Sequence, residues 1–345
     1  MLKLDSEFPG ATGYLNTATM GLPPAASADE LRSAISDWQS GLATAAGYDR
    51  YVGEARALFA NMVNLTPDLV AIGSQVSAMT GMVAAGLKPG AQVVCSEEEF
   101  TSVMFPFLSR TDLNVKLVPL NNLEGNIGPE TDLVVFSLVQ SADGRVVDGK
   151  RIASAARNSG AMTLVDATQA AGWLPFNAGD YDVTVTGAYK WLLSPRGSAF
   201  MTVRQDSIDL PAVLHPGWYA GESPWDSIYG PPLRLAVNAR RFDLSPGWLS
   251  WVGTATSLKY ISEIGIKQIH NHNLALANDL RQRLGLSESD SAIVSLEIPN
   301  SIDVEQLKGF NASVRTGRLR LSFHLYNQTR DVDLVEEALK DHVTS

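Results

Sequence analysis

Seven short runs rich in Val and Leu recur along the chain, at Leu69–Gly73, Gln92–Cys95, Val115–Pro119, Leu133–Leu138, Met162–Asp166, Asp182–Thr186 and Ala199–Val203. Most are near-continuously apolar rather than alternating, the pattern of strands covered on both faces. Helix-like stretches lie between them, such as Ser77–Ala85, Phe100–Leu108 and Gly149–Arg157. This alternation predicts an α/β fold with a mostly parallel seven-stranded sheet covered by helices. The segment Pro211–Pro246, dense in Pro, Gly, Trp and Tyr, breaks the rhythm and reads as a long loop. A helical stretch follows over Trp248–Leu284, interrupted at Gly265. The remainder, Ser291–Val343, reads strand, helix, strand, helix, a smaller C-terminal α/β domain joined by the N-terminal segment. The expected division is a large domain over residues 15–250 and a small domain built from 1–14 and 251–345.

Composition narrows the functional classes. Of the 345 residues, 45% are hydrophobic and 19% charged, enough for a substantial core and against disorder. The net charge of -10 argues against nucleic acid as a partner. Cys95 is the single cysteine, so neither an intrachain disulfide nor a cysteine-based zinc site can form. His215, His270, His272, His324 and His342 show no metal-ligand spacing, and no metal is expected. The N-terminal residues lack a secretory pattern, and no apolar run approaches the ~20 residues of a membrane helix. A cytoplasmic location with no membrane partner is the expectation.

Chemistry concentrates in two places. In Leu164-Val165-Asp166-Ala167-Thr168-Gln169, a carboxylate ends an apolar strand and small residues follow. In Asp182-Val183-Thr184-Val185-Thr186-Gly187-Ala188-Tyr189-Lys190-Trp191, a second strand leads through a glycine turn to a lysine between two aromatics. Carboxyl ends of strands are where open α/β sheets bind ligands. A partly desolvated lysine there is a usable nucleophile or base. If the two strands are neighbours, both side chains reach one crevice. Pyridoxal phosphate (PLP) needs that pair: a lysine for its aldehyde and a carboxylate for its pyridine nitrogen. Each residue taken singly reads equally as a helix cap or a surface charge.

The stretch from Asp166 through Asp182 and Lys190 to Pro195-Arg196-Gly197 resembles the PLP-binding signature of class V aminotransferases, within the fold type I PLP-dependent transferases. That group includes cysteine desulfurases, kynureninase and isopenicillin N epimerase. The resemblance runs from Tyr14-Leu15-Asn16-Thr17-Ala18 to Leu319-Arg320-Leu321-Ser322-Phe323 and on to Asn327. It implies that Lys190 is the Schiff-base lysine and proton shuttle, and that Asp166 partners the ring nitrogen. Gln169 is implied to meet the phenolic oxygen of PLP. The segment Ser74-Gln75-Val76-Ser77 is implied to take the phosphate, as the free N–H groups opening a helix can; helix capping by the serines is the plainer reading. Phe100 is implied to stack on the ring, although core packing explains a Phe as well. Tyr189 is implied to stand beside the cofactor. Arg320 is implied to hold the substrate α-carboxylate through its guanidinium fork, with Asn16 nearby. Arg315 and Arg318 read as a solvated basic face.

Three departures from the family pattern stand out. Gly187 and Tyr189 replace the Ser and His common in cysteine desulfurases, so one phosphate-binding hydroxyl is missing. The stretch Phe242-Asp243-Leu244-Ser245-Pro246-Gly247 lacks the Thr of a Phe-x-x-Gly-Thr segment that contacts phosphate across the dimer. No cysteine follows Cys95, which ends a strand and reads as a packed residue. That argues against a persulfide mechanism.

The leading expectation is therefore a PLP-dependent homodimer acting on an amino acid, by transamination or by β-elimination including C–S cleavage, with epimerisation as the alternative. The aromatic loop from Trp218 to Tyr229, with Trp248 and Trp251, is expected at the subunit interface or, alternatively, in the core. A non-catalytic PLP or amino-acid binder is the rival from another class. A nucleotide-binding α/β enzyme ranks last, since no G-x-G-x-x-G follows the first strand.

Overall fold

The computed structural model describes residues 4–297 and 309–339. A short α1 (Leu4–Glu7) precedes α2 (Ala25–Gln39) and α3 (Ala45–Met62). Then strands and helices alternate: β1 (Val70–Gly73), α4 (Val76–Gly86), β2 (Gln92–Ser96), α5 (Thr101–Leu108), β3 (Asn114–Val118) and β4 (Leu133–Ser137). The series continues with α6 (Gly149–Ser159), β5 (Met162–Asp166), β6 (Val183–Gly187) and β7 (Ala199–Val203). All seven expected strands form, and they make one sheet in the order β1-β7-β6-β5-β4-β2-β3. β7 runs antiparallel to both β6 and β1, while the other pairs are parallel.

The apolar runs explain the sheet's depth. β4, β6 and β7 are buried along their whole length. β3 is the exception, an edge strand with Asn114 and Leu117 exposed and Lys116 on its rim. A lysine there discourages edge-to-edge pairing with another chain. Helix α6 shows how the sequence sets its own limits: the Asp148 carboxylate accepts the Arg151 N–H at 3.1 Å, and Gly160, at φ 79°, closes the other end.

Residues 211–246 contain no strand or α-helix, only short 3₁₀ turns, as the loop reading expects. Tyr229 is 90% exposed, whereas Tyr219 and Phe242 are buried. Helices α7 (Trp248–Ile264) and α8 (Ile266–Arg283) meet at Gly265, whose φ of 89° breaks the helix at the predicted residue. Trp251, expected at an interface or in the core, is a core residue: it is buried edge-on against Phe200 of β7.

The C-terminal part holds a second, antiparallel sheet, β8 (Ile293–Glu297), β9 (Ser313–Arg315) and β10 (Arg318–Ser322), in the order β8-β10-β9, and then α9 (Thr329–Leu339). A hairpin thus stands where one strand was expected. The stretch 298–308, where the first of the two expected helices falls, lies outside the described residues, as does His342. The N-terminal segment touches this sheet: Asn16 bridges to Ser322, Leu15 enters the small core, and the Asp331 carboxylate accepts the Gly13 N–H at 2.7 Å.

Candidate active site

β5 and β6 are parallel neighbours, with Asp166 in register with Val185, so both strands end on the same rim of the sheet. Asp166 closes β5. Lys190 stands three residues beyond β6, in a turn tightened by Leu193 in the left-handed region at φ 54°. A buried leucine in that conformation costs roughly 1 kcal/mol, which the surrounding packing must offset. Two glycines make room for the turn. A Cβ on Gly21 would lie 2.1 Å from the Lys190 carbonyl oxygen, and one on Gly172 would lie 2.4 Å from the Trp191 carbonyl oxygen. Gly21 also donates its N–H to the Tyr189 carbonyl at 2.9 Å.

Both Lys190 and Asp166 line a cavity that opens to solvent. Lys190 is 6% exposed and Asp166 7%. Burial pulls the Lys190 ammonium down to about 8; Asp166 opposes the shift, while Arg320, Arg315 and Arg196 reinforce it. Burial pushes the Asp166 carboxyl up, against hydrogen bonds from Thr168 and the charge of Lys190. Its Oδ1 accepts the Thr168 N–H at 2.7 Å. The Thr168 hydroxyl oxygen in turn accepts the Gly187 N–H at 2.9 Å, tying the ends of β5 and β6 together.

The phosphate segment also comes to the cavity. Ser74, Gln75, Val76 and Ser77 line it where β1 hands over to α4. Gln75 is the N-cap, and its side chain makes no cap hydrogen bond. The first-turn N–H groups of α4 therefore have no side-chain cap, and a phosphate suits them. Phe100, at 48% exposure, faces the cavity rather than the core, its ring 5.4 Å from the Lys190 Nζ. Tyr189 also lines the cavity, with its ring centre 5.7 Å from Nζ and the Arg196 guanidinium 5.2 Å from that ring centre.

Gln169 reaches the cavity but is already engaged. Its amide donates to the Ala18 carbonyl and the Ser141 hydroxyl, each at 3.0 Å, and its Oε1 accepts the Trp191 indole N–H at 2.7 Å. Meeting a phenolic oxygen requires exchanging the Ser141 bond. Arg320 is 2% exposed and lies behind Ser141, donating to the Ser141 carbonyl and, at 2.8 Å, to the Thr19 hydroxyl. Burial first, then Arg315, lowers it to about 10, and its Nε–H has no partner among the described residues. Among the described residues no carboxylate pairs with it. Asn16 does not line the cavity. Its amide donates to the Asn311 Oδ1 at 3.0 Å, and its own Oδ1 is buried without a partner among the described residues.

Glu99 was passed over by the sequence reading. It is 6% exposed and accepts the Ser137 N–H at 2.9 Å, the Ser137 hydroxyl and the Gln140 amide at 2.8 Å. Burial raises it to about 7. It anchors the residue before Phe100 to the end of β4, next to Asp166. The run Glu97-Glu98-Glu99 hides this, because three acids in a row read as a solvated stretch. Cys95 is buried, its Sγ–H points at the Ser96 carbonyl, and burial pushes its thiol well up. His270 stacks on Trp173, while the His272 Nε2–H donates to the Asn327 carbonyl, so the two histidines face apart.

The donor set fits PLP: a buried amine of lowered proton affinity, a buried carboxyl whose hydrogen bonds come only from neutral donors, a helix N-terminus open to an anion, and an aromatic face beside the amine. Similar proteins agree. The chain is 28% identical over 302 residues to an uncharacterized aminotransferase, YcbU, of Bacillus subtilis, covering 81% of this chain and 80% of that one. It is 25% identical over 343 residues to a probable cysteine desulfurase of Methanothermobacter thermautotrophicus, covering 85% and 84%. Relatives of both kinds match, so sequence similarity does not set this chain apart from the desulfurases. The structure of the cystine C–S lyase C-DES in complex with cysteine persulfide superposes with a TM-score of 0.88 at 18% identity, covering 98% of this chain and 100% of that one, which shows a shared fold. The class-V aminotransferase family model matches residues 46–304, and the chain belongs to that family of PLP-dependent enzymes acting on amino acids.

Proposed function

We propose that Lys190 holds PLP at its aldehyde and exchanges protons at the substrate Cα, with Asp166 against the ring nitrogen and Arg320 on the substrate carboxylate. The observation that carries this reading is the buried Asp166 and Lys190 on the ends of adjacent parallel strands, over one cavity. When bound, PLP supplies an electron sink for the charge left by a bond broken at Cα. With its amine pulled down to about 8, Lys190 has a sizeable neutral fraction near neutral pH and can take a proton. The α4 N-terminus holds the phosphate, and Phe100 and Tyr189 set aromatic rings beside the reacting amine. Gln169 meets the phenolic oxygen once its amide leaves Ser141.

In this reading the reaction is transamination or β-elimination, including C–S cleavage, and proceeds without a protein persulfide. Cys95 is buried with a thiol held protonated, which makes it a poor nucleophile. No cysteine follows Cys95 in the sequence, so the C-terminal part offers no other thiol for a persulfide. We read the chain as a cytoplasmic homodimer, with Tyr229, Leu233 and Val237 of the exposed loop as partner contacts. The large domain spans 15–250 and the small one 1–14 and 251–345, with α7 bridging them by packing on α2 and α3.

Product analysis of the purified holoenzyme with L-alanine, L-aspartate, L-glutamate and L-cysteine tests the reaction. Transamination leaves the amino group on the cofactor and releases an oxo acid. Elimination from cysteine releases pyruvate, ammonia and sulfide. A persulfide on Cys95 detected by mass spectrometry contradicts the reading.

A further inference from the structure

One face of the small sheet carries three arginines. Arg318 and Arg320 alternate along β10, and Arg315 lies directly across the hairpin from Arg318. Cross-strand partners and i, i+2 neighbours share a face, so all three project the same way. Their electrostatic settings differ. Arg318 is matched, paired with the Glu297 carboxylate and donating to the Ser295 hydroxyl at 3.0 Å. Arg315 and Arg320 both donate to one neutral oxygen, the Thr19 hydroxyl, at 3.2 and 2.8 Å.

Among the described residues neither of these two guanidinium groups meets a carboxylate. Two like charges brought together on one hydroxyl, one of them buried, repel each other and are incompletely solvated. The fold nevertheless holds them there firmly. Thr316 and Gly317 both take positive φ, 47° and 77°, the turn geometry that locks a two-residue hairpin. Arg315 therefore sits in a rigid register rather than on a loop free to swing into solvent. It is half-buried, and its charge, with that of Arg320, acts on Lys190. Such a paired cationic site is completed by two negative charges on one ligand.

We propose that Arg315 is a specificity-determining residue that takes a side-chain carboxylate while Arg320 takes the α-carboxylate, so that the substrates are amino acids with acidic side chains. The proposal rests on the reading that Lys190 and Arg320 bind an amino acid. Thr19 is the positioning residue that holds both forks at one hydroxyl until the ligand arrives. An acidic side chain gains a charge-assisted pair that its amide counterpart lacks, worth roughly tenfold or more in affinity.

Calorimetric titration of the holoenzyme with L-aspartate and L-glutamate against L-asparagine and L-glutamine measures that difference. The acids are expected to bind about tenfold tighter. Arg315→Gln is expected to abolish the preference by weakening the acids alone, and Arg315→Lys to restore part of it. Succinate, which carries two carboxylates and no amine, is titrated into the apoprotein and is expected to bind more tightly than butyrate in an Arg315-dependent way. That arm keeps its meaning even if Lys190 does not hold PLP, so failure of the cofactor reading and failure of this proposal are told apart. Equal affinity for acids and amides overturns the proposal. Equal weakening of acids and amides by Arg315→Gln overturns it too, because both arginines then serve one α-carboxylate.

Discussion

Gly21 and Lys190 are in direct backbone contact: a Cβ on Gly21 would lie 2.1 Å from the Lys190 carbonyl oxygen and 2.6 Å from the Leu193 side chain. The contact joins the N-terminal segment to the lysine turn, whose other side is pressed by Gly172 at φ 107°. Gly21→Ala must displace backbone rather than a flexible side chain. We expect a cost of ~1–3 kcal/mol, in the range of overpacking substitutions, and a matching loss of PLP affinity. Urea midpoints and equilibrium dialysis against PLP check it. An alanine variant that binds PLP like the parent protein removes the claimed close fit.

Glu99 gives the site a titration near neutrality. Its proton affinity is raised from the ordinary 4.5 to about 7, mainly by burial. The folded protein therefore favours the acid form. The stabilising contribution is complete below 4.5 and is lost as pH rises through about 7, a swing on the order of 3 kcal/mol. Glu99→Gln carries no such titration, so its stability relative to the parent should rise between pH 4.5 and 7 and level off above. Parallel stability curves for the two proteins across that window contradict this.

A buried ion pair secures the strand that leads to the phosphate segment. The Arg56 guanidinium meets Asp243 at 2.6 and 3.1 Å, and the same carboxylate accepts the Ile72 N–H of β1 at 2.8 Å. Removing one partner strands a buried charge, so Arg56→Ala should cost about 3–5 kcal/mol. The double change Arg56→Met with Asp243→Leu should recover part of that loss. Urea denaturation of the parent protein and the two variants decides between the pair and simple packing as the source.

Lys190 should react as an amine with a proton affinity near 8 rather than the ordinary 10.5. Only the neutral amine attacks an aldehyde. The rate of recombination of apoprotein with PLP should therefore climb with pH and level off above about 8. A rate still climbing steeply at pH 10 contradicts the desolvated setting of the amine.

Most strands of the main sheet were legible because they are runs of apolar residues that a doubly covered strand explains, the exposed edge strand β3 being the exception. Asp166 and Lys190 were legible because both follow such runs, and strand ends converge. The hairpin was not, since Thr316-Gly317 interrupts a basic stretch that reads as one polar surface. Arg315 was assigned to that surface for the same reason, and only the shared Thr19 contact sets it apart from Arg318. Gly21 and Gly172 gave no local signal, because their need for a missing Cβ comes from a turn far away in sequence. Asn16 was expected at the substrate, but its backbone bridge to Ser322 leaves its amide on Asn311.

The central claim is that Lys190 holds PLP against Asp166. The most direct test is the absorbance spectrum of the protein incubated with PLP and dialysed, beside Lys190→Ala treated identically. The account predicts a near-visible band retained by the parent protein and absent from the variant. A band of equal strength in both proteins, or in neither, contradicts it.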